Sequence, residues 1–308
     1  MEIINKYIAA EDIKHYDAEE FQGMTVAVHL HLFHEDLLTK FCFYLNNIHV
    51  KYDLYISTPD IANIEEEKIK EKVRTLTHLG KLTIVRTPNR GRDIGPLICT
   101  FGKDLSLYDV ILHLHTKKSK QNKKSGEAWC SHMLNHLLFS KDMVFNIFHA
   151  LQNDVAFVCS SNYIIDTSSS HWGKNKKKAK ELIERCKVNL DIDKDYPIVE
   201  FPAGMFFWAR GENMRKMLTL PLQYDDFPEE PIPDDGTIAH ALERLTFILG
   251  DDDACKVLKI SLIDTDFIEK MKIKTMKNAK HLHMMQVLVW TNVALVLIIL
   301  ILLLLLFR

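Results

Sequence analysis

The stretch YDVILHLHTKKS, residues 108–119, organises the reading of the whole chain. Residues 109–114 are a short apolar run of β-branched and aliphatic side chains, which predicts a strand buried on both faces of a parallel sheet. At its end the residue type changes abruptly to His115, Thr116, Lys117, Lys118 and Ser119. In an open α/β sheet, ligands bind beyond the carboxyl ends of the strands. A buried strand that stops in His-Thr-Lys-Lys is therefore placed to meet an anion. Just upstream, TPNRGRDIGP at 87–96 succeeds another apolar run at 82–85. Two neighbouring strands that end in basic, polar loops build one site.

Outward from this centre, strand and helix patterns alternate. Strands are expected at 24–31 (MTVAVHLH), 52–57 (YDLYIS), 82–85, 109–114, 155–160 (VAFVCS) and 201–210 (FPAGMFFWAR). Helices are expected at 34–47, 64–79, 94–101, 125–138, 141–152, 176–186, 211–220 and 237–249, with Ser140 capping the fifth and Asp234 or Asp235 the last. Regular alternation is the pattern of a doubly wound, parallel sheet. The first 22 residues are polar and irregular and receive no assignment.

Composition narrows the function classes. With 47% apolar and 26% charged residues over 308 positions, the chain has the make-up of a globular protein. A net charge of −2 gives no general reason to bind nucleic acid. The six cysteines are scattered with no CxxC pair, which fits reduced core thiols rather than a disulfide framework or a zinc site. No basic start followed by an apolar run opens the sequence, so no signal peptide is expected. The far end differs. Residues 287–307 are apolar except for Thr291 and Asn292, and LVLIILILLLLLF offers no polar face to water. About twenty such residues match the hydrocarbon thickness of a bilayer. Five lysines between 270 and 280 precede the run and only Arg308 comes after it, which by the positive-inside rule puts the large domain in the cytoplasm. The expected organisation is an N-terminal segment at 1–22, a domain at 23–250, a charged linker at 251–285 and a transmembrane anchor at 286–308.

There is no GxGxxG and no GxxxxGK[ST], which argues against a standard dinucleotide fold and a P-loop NTPase. His29 and His31 end the first strand, and His113 and His115 end the central one. Period-two alternation puts each pair on one face, and in the usual doubly wound order those two strands are neighbours at the switch point. This leaves two readings. The four rings form a metal or diphosphate site, or they are core histidines bonded to backbone. The second suits His29 and His113 better, and the first suits His31 and His115, nearer the strand tips. Asn89, Arg90, Arg92 and Asp93 come after a proline turn and precede a helix. Helix N-termini attract phosphate and arginine offers it a matching fork. Lys117 and Lys118 are placed to neutralise a diphosphate leaving group. Glu229, Glu230, Asp234 and Asp235 lie in a Pro-rich acidic loop, where one carboxylate can deprotonate an attacking hydroxyl. Trp172 is a candidate sugar-stacking surface, and Trp208 suits the core.

TPNRGRDIGPLI, YDVILHLHTKKS, HWGKN, FPAGMFFWAR and DDGTIAHALERL, in this order and at these intervals, resemble the rhamnan synthesis protein F family over about 25–250. The resemblance implies a glycosyltransferase of bacterial surface polysaccharide assembly with a GT-A-like fold; the apolar run at 287–307 lies outside the resemblance and is expected to anchor the domain in the inner membrane. It implies a nucleotide-sugar donor, with dTDP-rhamnose as the typical case, and a glycan or lipid-linked glycan acceptor. GT-A enzymes usually carry a DxD metal motif after the fourth strand. Here that position reads His113-Leu114-His115-Thr116, so a divalent metal is not assured. The late acidic motif of that fold is similar to Asp234-Asp235-Gly236. The expectation is thus a membrane-tethered, inverting hexosyltransferase. Its base is Asp235, with Asp234 as the fallback. Its donor contacts are Asn89, Arg90, Arg92, Asp93, His115, Lys117 and Lys118, with His29, His31 and His113 as candidate donor or metal ligands. Trp172, Glu229 and Glu230 would meet the acceptor. The alternatives are a non-catalytic tethered module that holds sugar nucleotides or assembly enzymes at the membrane, and a metal-dependent hydrolase using the histidines.

Overall fold

The computed structural model describes residues 1–9, 12–116, 123–161, 171–250 and 256–262. Its strands are β1 (Glu2–Ile8), β2 (Val26–His31), β3 (Tyr52–Pro59), β4 (Leu79–Thr87), β5 (Val110–His115), β6 (Val155–Ser160), β7 (Phe207–Arg210) and β8 (Lys256–Leu262). They form one sheet in the order β1-β8-β6-β7-β5-β2-β3-β4. The helices are α1 (Leu38–Leu45), α2 (Glu66–Val73), α3 (Gly102–Leu105), α4 (Lys123–Leu138), α5 (Lys141–Gln152), α6 (Lys176–Arg185), α7 (Gly211–Leu218) and α8 (Ile238–Leu249). The fold is mixed α/β with a mostly parallel sheet.

β2 pairs in parallel with β3 on one side and β5 on the other, and β3 pairs in parallel with β4. The order therefore reverses between β2 and β5, which opens a crevice at their carboxyl ends. All six residues of β2, β5 and β6 are buried, in keeping with apolar runs covered on both faces. β7 is antiparallel to both β5 and β6. Only 207–210 of the expected strand at 201–210 pair, because Gly204 and Met205 turn the chain with φ of 80° and 54°. Trp208 sits in the core with no exposed surface, and its indole N–H donates to the Leu137 carbonyl.

Several boundaries move. Glu2–Ile8, within the polar first 22 residues, is an edge strand beside β8, which itself lies in the stretch expected as linker. The compact unit accordingly runs from Met1 to Ser261 rather than over 23–250. The helix expected at 64–79 ends at Val73, and β4 begins at Leu79, with Gly80 inside it where a Cβ would lie 2.4 Å from an Asp53 carboxylate oxygen. The N-cap of α8 is Thr237, not Asp234 or Asp235: the Thr237 N–H and hydroxyl both donate to His240 Nδ1. Ser140 caps α5 as expected, accepting from the Met143 N–H. Among the described residues no helix is long and apolar enough to cross a membrane; residues 287–307 lie outside them.

Candidate active site

β2 and β5 run in parallel register with His29 beside His113 and His31 beside His115. All four side chains are buried at the crevice end of the sheet. Three of them are bonded to other side chains rather than to backbone. His113 Nε2 lies 3.0 Å from an Asp93 carboxylate oxygen, and His113 Nδ1 lies 3.0 Å from His29 Nδ1. His29 Nε2 lies 3.0 Å from the Ser57 hydroxyl, which lies 2.9 Å from His31 Nδ1. Five side chains from β2, β3, β5 and the loop after β4 thus form one continuous buried chain. His115 bonds the backbone, its Nε2 donating to the Gly204 carbonyl at 2.8 Å.

Burial dominates the electrostatics. It pushes His31 down to about 4, against the raising influence of Asp93 and with help from His115 and His113. Burial, then the neighbouring rings of His113 and His31, hold His29 well below the usual imidazole range. For Asp93, burial opposes ionisation, but the surrounding histidines and the hydrogen bond from His113 outweigh it. The carboxyl is held well below its ordinary value. Asp93 is therefore the fixed negative end of the chain and His31 the neutral, outer end.

The loop carrying Asp93 is shaped by its glycines. Gly91 and Arg92 are both left-handed, with φ of 74° and 52°. A Cβ on Gly91 would come within 2.8 Å of Gly95 Cα and of the Phe227 ring, and one on Gly95 within 2.4 Å of the Arg90 carbonyl. The spacing of these glycines thus reports a chain folded tightly on itself and against the 224–236 segment. The loop then enters a short helical stretch that includes a five-residue π turn, Pro96–Thr100; its first N–H groups, on Ile94 and Gly95, donate to the Gly91 carbonyl.

The two arginines are already paired. Arg90 bonds Glu229 and, at 2.9 Å, Asp225, while Arg92 lies 3.4 Å from Glu230. A backbone bridge joins Arg90 to Glu229. Glu229 and Glu230, expected at an acceptor, are thus the present partners of the expected donor arginines. Asn89 lies half-buried in the same loop.

Asp235 is tied down as well. Its carboxylate accepts from the Lys174 N–H at 3.1 Å and the Asn175 amide at 2.5 Å, and it faces the Arg244 guanidinium at 3.5 Å. Burial opposes its ionisation, but Asn175, the Lys174 N–H and Arg244 together hold its pKa below the usual value. Both oxygens of this carboxylate already have partners. Its geometry is that of a clamp joining the 234–236 turn to the 173–175 turn. Asp234 beside it is exposed. Trp172 is not a sugar platform: it is 5% exposed, packs in the core and donates its indole N–H to the Tyr196 carbonyl at 2.9 Å. Lys117 and Lys118 lie outside the described residues.

Three participants were not singled out from the sequence. Ser57 pairs with His31 across β2 and β3, and a lone serine at a strand tip gives no signal by itself. His240, in the first turn of α8, lies near Arg92, Asp235 and Asp234; burial and then Arg92 lower its pKa. A groove beside the crevice is lined by Phe33, His34, Glu35 and Asp36 after β2, by Ala62 and Ile64 after β3, and by Lys72 of α2, which bonds Glu35 at 3.0 Å. Thr116 holds its near wall, its hydroxyl accepting from the Phe33 and His34 N–H groups at 2.8 and 3.0 Å.

A DxD-type metal site does not fit these residues. Among the described residues no three His, Cys, Asp or Glu side chains converge as a cation would require. The histidines at the expected position are bonded to one another, Ser57, Asp93 and the Gly204 carbonyl.

The profile of the rhamnan synthesis protein F family matches residues 2–254. Two curated proteins, both called uncharacterized protein WxcX, from Xanthomonas campestris pv. campestris strains B100 and ATCC 33913, are 31% identical over 159 residues. That match covers 51% of this chain but only 22% of theirs. Among solved structures, S. aureus TarS 1–349 aligns at 12% identity with a TM-score of 0.39, over 78% of this chain and 58% of that one. The same protein in complex with UDP aligns at 12% identity with a TM-score of 0.40, over 80% and 63%.

Proposed function

Because the chain belongs to the rhamnan synthesis protein F family, we propose that it is a glycosyltransferase of cell-surface polysaccharide synthesis, with a GT-A-like domain that takes its sugar from a nucleotide donor. The observation that carries this reading is the convergence, at the β2/β5 switch point, of the Arg90–Arg92 loop, the histidine-tipped strands and the adjoining groove. In this reading the nucleoside lies in the groove. Phe33, 38% exposed, offers the base an aromatic surface, and Asp36, with the second oxygen of the Lys72-paired Glu35, offers carboxylate oxygens to the hydroxyl of the nucleoside pentose. The diphosphate faces Arg90 and Arg92, exchanging their present carboxylate partners for phosphate oxygens, with Lys117 and Lys118 succeeding His115 and Thr116 in sequence. The acidic 225–236 segment meets the hydroxyls of the acceptor glycan. The acceptor displaces the nucleotide in a single step, with inversion at the sugar carbon. The donor in this proposal is dTDP-rhamnose, the acceptor is a growing or lipid-linked glycan, and residues 287–307 tether the domain to the cytoplasmic face of the inner membrane.

A thermal-shift series over sugar nucleotides, followed by nucleotide release with each, tests the proposal. A ligand at about 100 times its Kd adds about 2.7 kcal/mol to native stability. The expected result is the largest upward shift with dTDP-rhamnose, together with release of dTDP. Stabilisation without turnover on any acceptor converts the reading to a non-catalytic tethered module. A flat response to every sugar nucleotide removes both.

A further inference from the structure

The buried chain from Asp93 to His31 has a direction, and its atoms dictate that direction. Asp93 is ionised, so it accepts, and His113 Nε2 carries the proton between them. A neutral His113 then has a bare Nδ1, which must accept from His29 Nδ1–H. His29 Nε2 is in turn bare and accepts from the Ser57 hydroxyl. The Ser57 oxygen then accepts from His31 Nδ1–H. Every donor faces an acceptor once along the chain, and no other assignment of neutral rings achieves this with Asp93 charged. The tautomer of His31 is thereby fixed, with its lone pair on Nε2.

We propose that His31 is the group that takes the acceptor's proton, and that Ser57, His29, His113 and Asp93 position it by locking that tautomer and stabilising the charge it acquires. The proposal rests on the glycosyltransferase reading. His31 closes β2 at the switch point, across from His115 and two residues before Phe33, which lines the groove. The rival carboxylate, Asp235, already receives hydrogen bonds from Asn175 and the Lys174 N–H and faces Arg244. In the step itself the acceptor O–H bond breaks and an Nε2–H bond forms on His31. The acceptor oxygen bonds to the sugar carbon, and the carbon–oxygen bond to the diphosphate breaks, its electron pair leaving with the nucleotide. The new imidazolium faces Ser57 from β3, His113 and His115 from β5, and Asp93 from the loop after β4. Asp93 stays ionised throughout, and its charge at the far end of the chain favours the imidazolium on His31.

Two measurements on the full chain in detergent test this. In the first, nitrogen-15 histidine spectra report the ring tautomers without any substrate. His31 and His29 are expected as Nδ1–H and His113 as Nε2–H, and an Nε2–H His31 overturns the relay whatever the enzyme does. In the second, dTDP release from dTDP-rhamnose is followed in His31→Asn and Asp93→Asn. The asparagine amide at position 31 can still donate to Ser57 but holds no basic lone pair. His31→Asn is expected to cut turnover by about 10²-fold or more with donor binding intact, as removal of a general base does. Asp93→Asn keeps an acceptor for His113 and loses only the charge. It is expected to lower kcat and to move the acid limb of the rate profile to lower pH, because His31 becomes a weaker base; a purely structural Asp93 leaves that limb in place. Near-normal release by His31→Asn, with loss in Asp234→Asn, overturns His31 and returns the base to the head of α8. A wild-type protein that binds no sugar nucleotide and releases none fails the glycosyltransferase reading instead and takes the proton-transfer role with it, while the tautomer result stands.

Discussion

The crevice carries two polar layers built from similar groups under opposite conditions. Beneath it, His113, His29 and Ser57 have no exposed surface and lead from Asp93 to His31 at the crevice, each with a fixed partner. Above it, Arg90 and Arg92 pair with Asp225, Glu229 and Glu230 in contact with water; the Asp225 and Glu229 side chains are 97% and 77% exposed. Burial decides what each layer can do. An unpartnered polar group inside costs about 1–3 kcal/mol, so the lower layer holds one arrangement. An exposed ion pair contributes about 0–1 kcal/mol, so the upper layer can exchange its partners for a ligand. A transferase needs both, a fixed proton path and a replaceable set of anion contacts.

Removing the charged end of the lower layer has the largest expected effect. Removing the charged acceptor of a buried hydrogen bond costs about 3 kcal/mol or more, because the His113 N–H is left buried without a partner. Asp93→Ala should lower the melting temperature by several degrees for each kcal/mol lost. A loss under about 1 kcal/mol in urea unfolding means that His113 and Asp93 do not form a buried pair.

Acidification probes the same layer with a smaller effect. His31, pushed down to about 4 by burial, stays neutral in the fold while the unfolded chain takes up a proton below about 6.5. Stability therefore falls as pH drops from about 6.5 to about 4, by an amount on the order of 3 kcal/mol for this one ring. His136, also pushed down to about 4 chiefly by burial, acts in the same direction. Asp93 adds to the loss at still lower pH, since its depressed pKa contributes stability above the ordinary carboxylate value that disappears as pH falls through the folded one. Urea midpoints at about pH 7, 5.5 and 4.5 check the slope. A flat profile shows that these rings are as accessible to protons in the fold as in the open chain.

Much of this arrangement was legible in the sequence. Apolar runs with regular helical spacers announced a parallel sheet, and the His-x-His endings of two strands foretold four rings on one face. Register then came from β2 and β5 being neighbours. Edge strands were not legible: in Glu2–Ile8, EIINKYI has no sustained alternation, and Lys256–Leu262 is short and flanked by charge. Nor was the reversed direction of β7, because strand polarity is set by where the chain returns and leaves no local mark. Within the site, Trp172 gave a misleading signal, since an indole with one buried hydrogen bond reads the same as one awaiting a sugar. The pairing of Arg90 with Glu229 spans 139 positions and is decided by the way two loops fold over the sheet.

The upper layer gives the smallest change in stability and the sharpest change in binding. In Glu229→Gln combined with Glu230→Gln, each side chain keeps its length and an acceptor oxygen but loses its charge. Each pair has at least one side chain well exposed to water, so the unliganded protein should lose no more than about 1 kcal/mol. Phosphate oxygens compete with those carboxylates for Arg90 and Arg92. With the competitors neutralised, a nucleotide diphosphate meets arginines that no longer have to give up an ion pair, and the negative field of the segment weakens. dTDP affinity measured by titration calorimetry should therefore rise, by several-fold at low ionic strength and less as salt screens the exposed charges over a Debye length of about 8–10 Å. An acceptor role for Glu229 and Glu230 makes a different prediction, unchanged dTDP affinity with a raised KM for the glycan. If neither quantity moves, the arginines bind no phosphate, and the anion contacts must be sought in the lysines that come after β5.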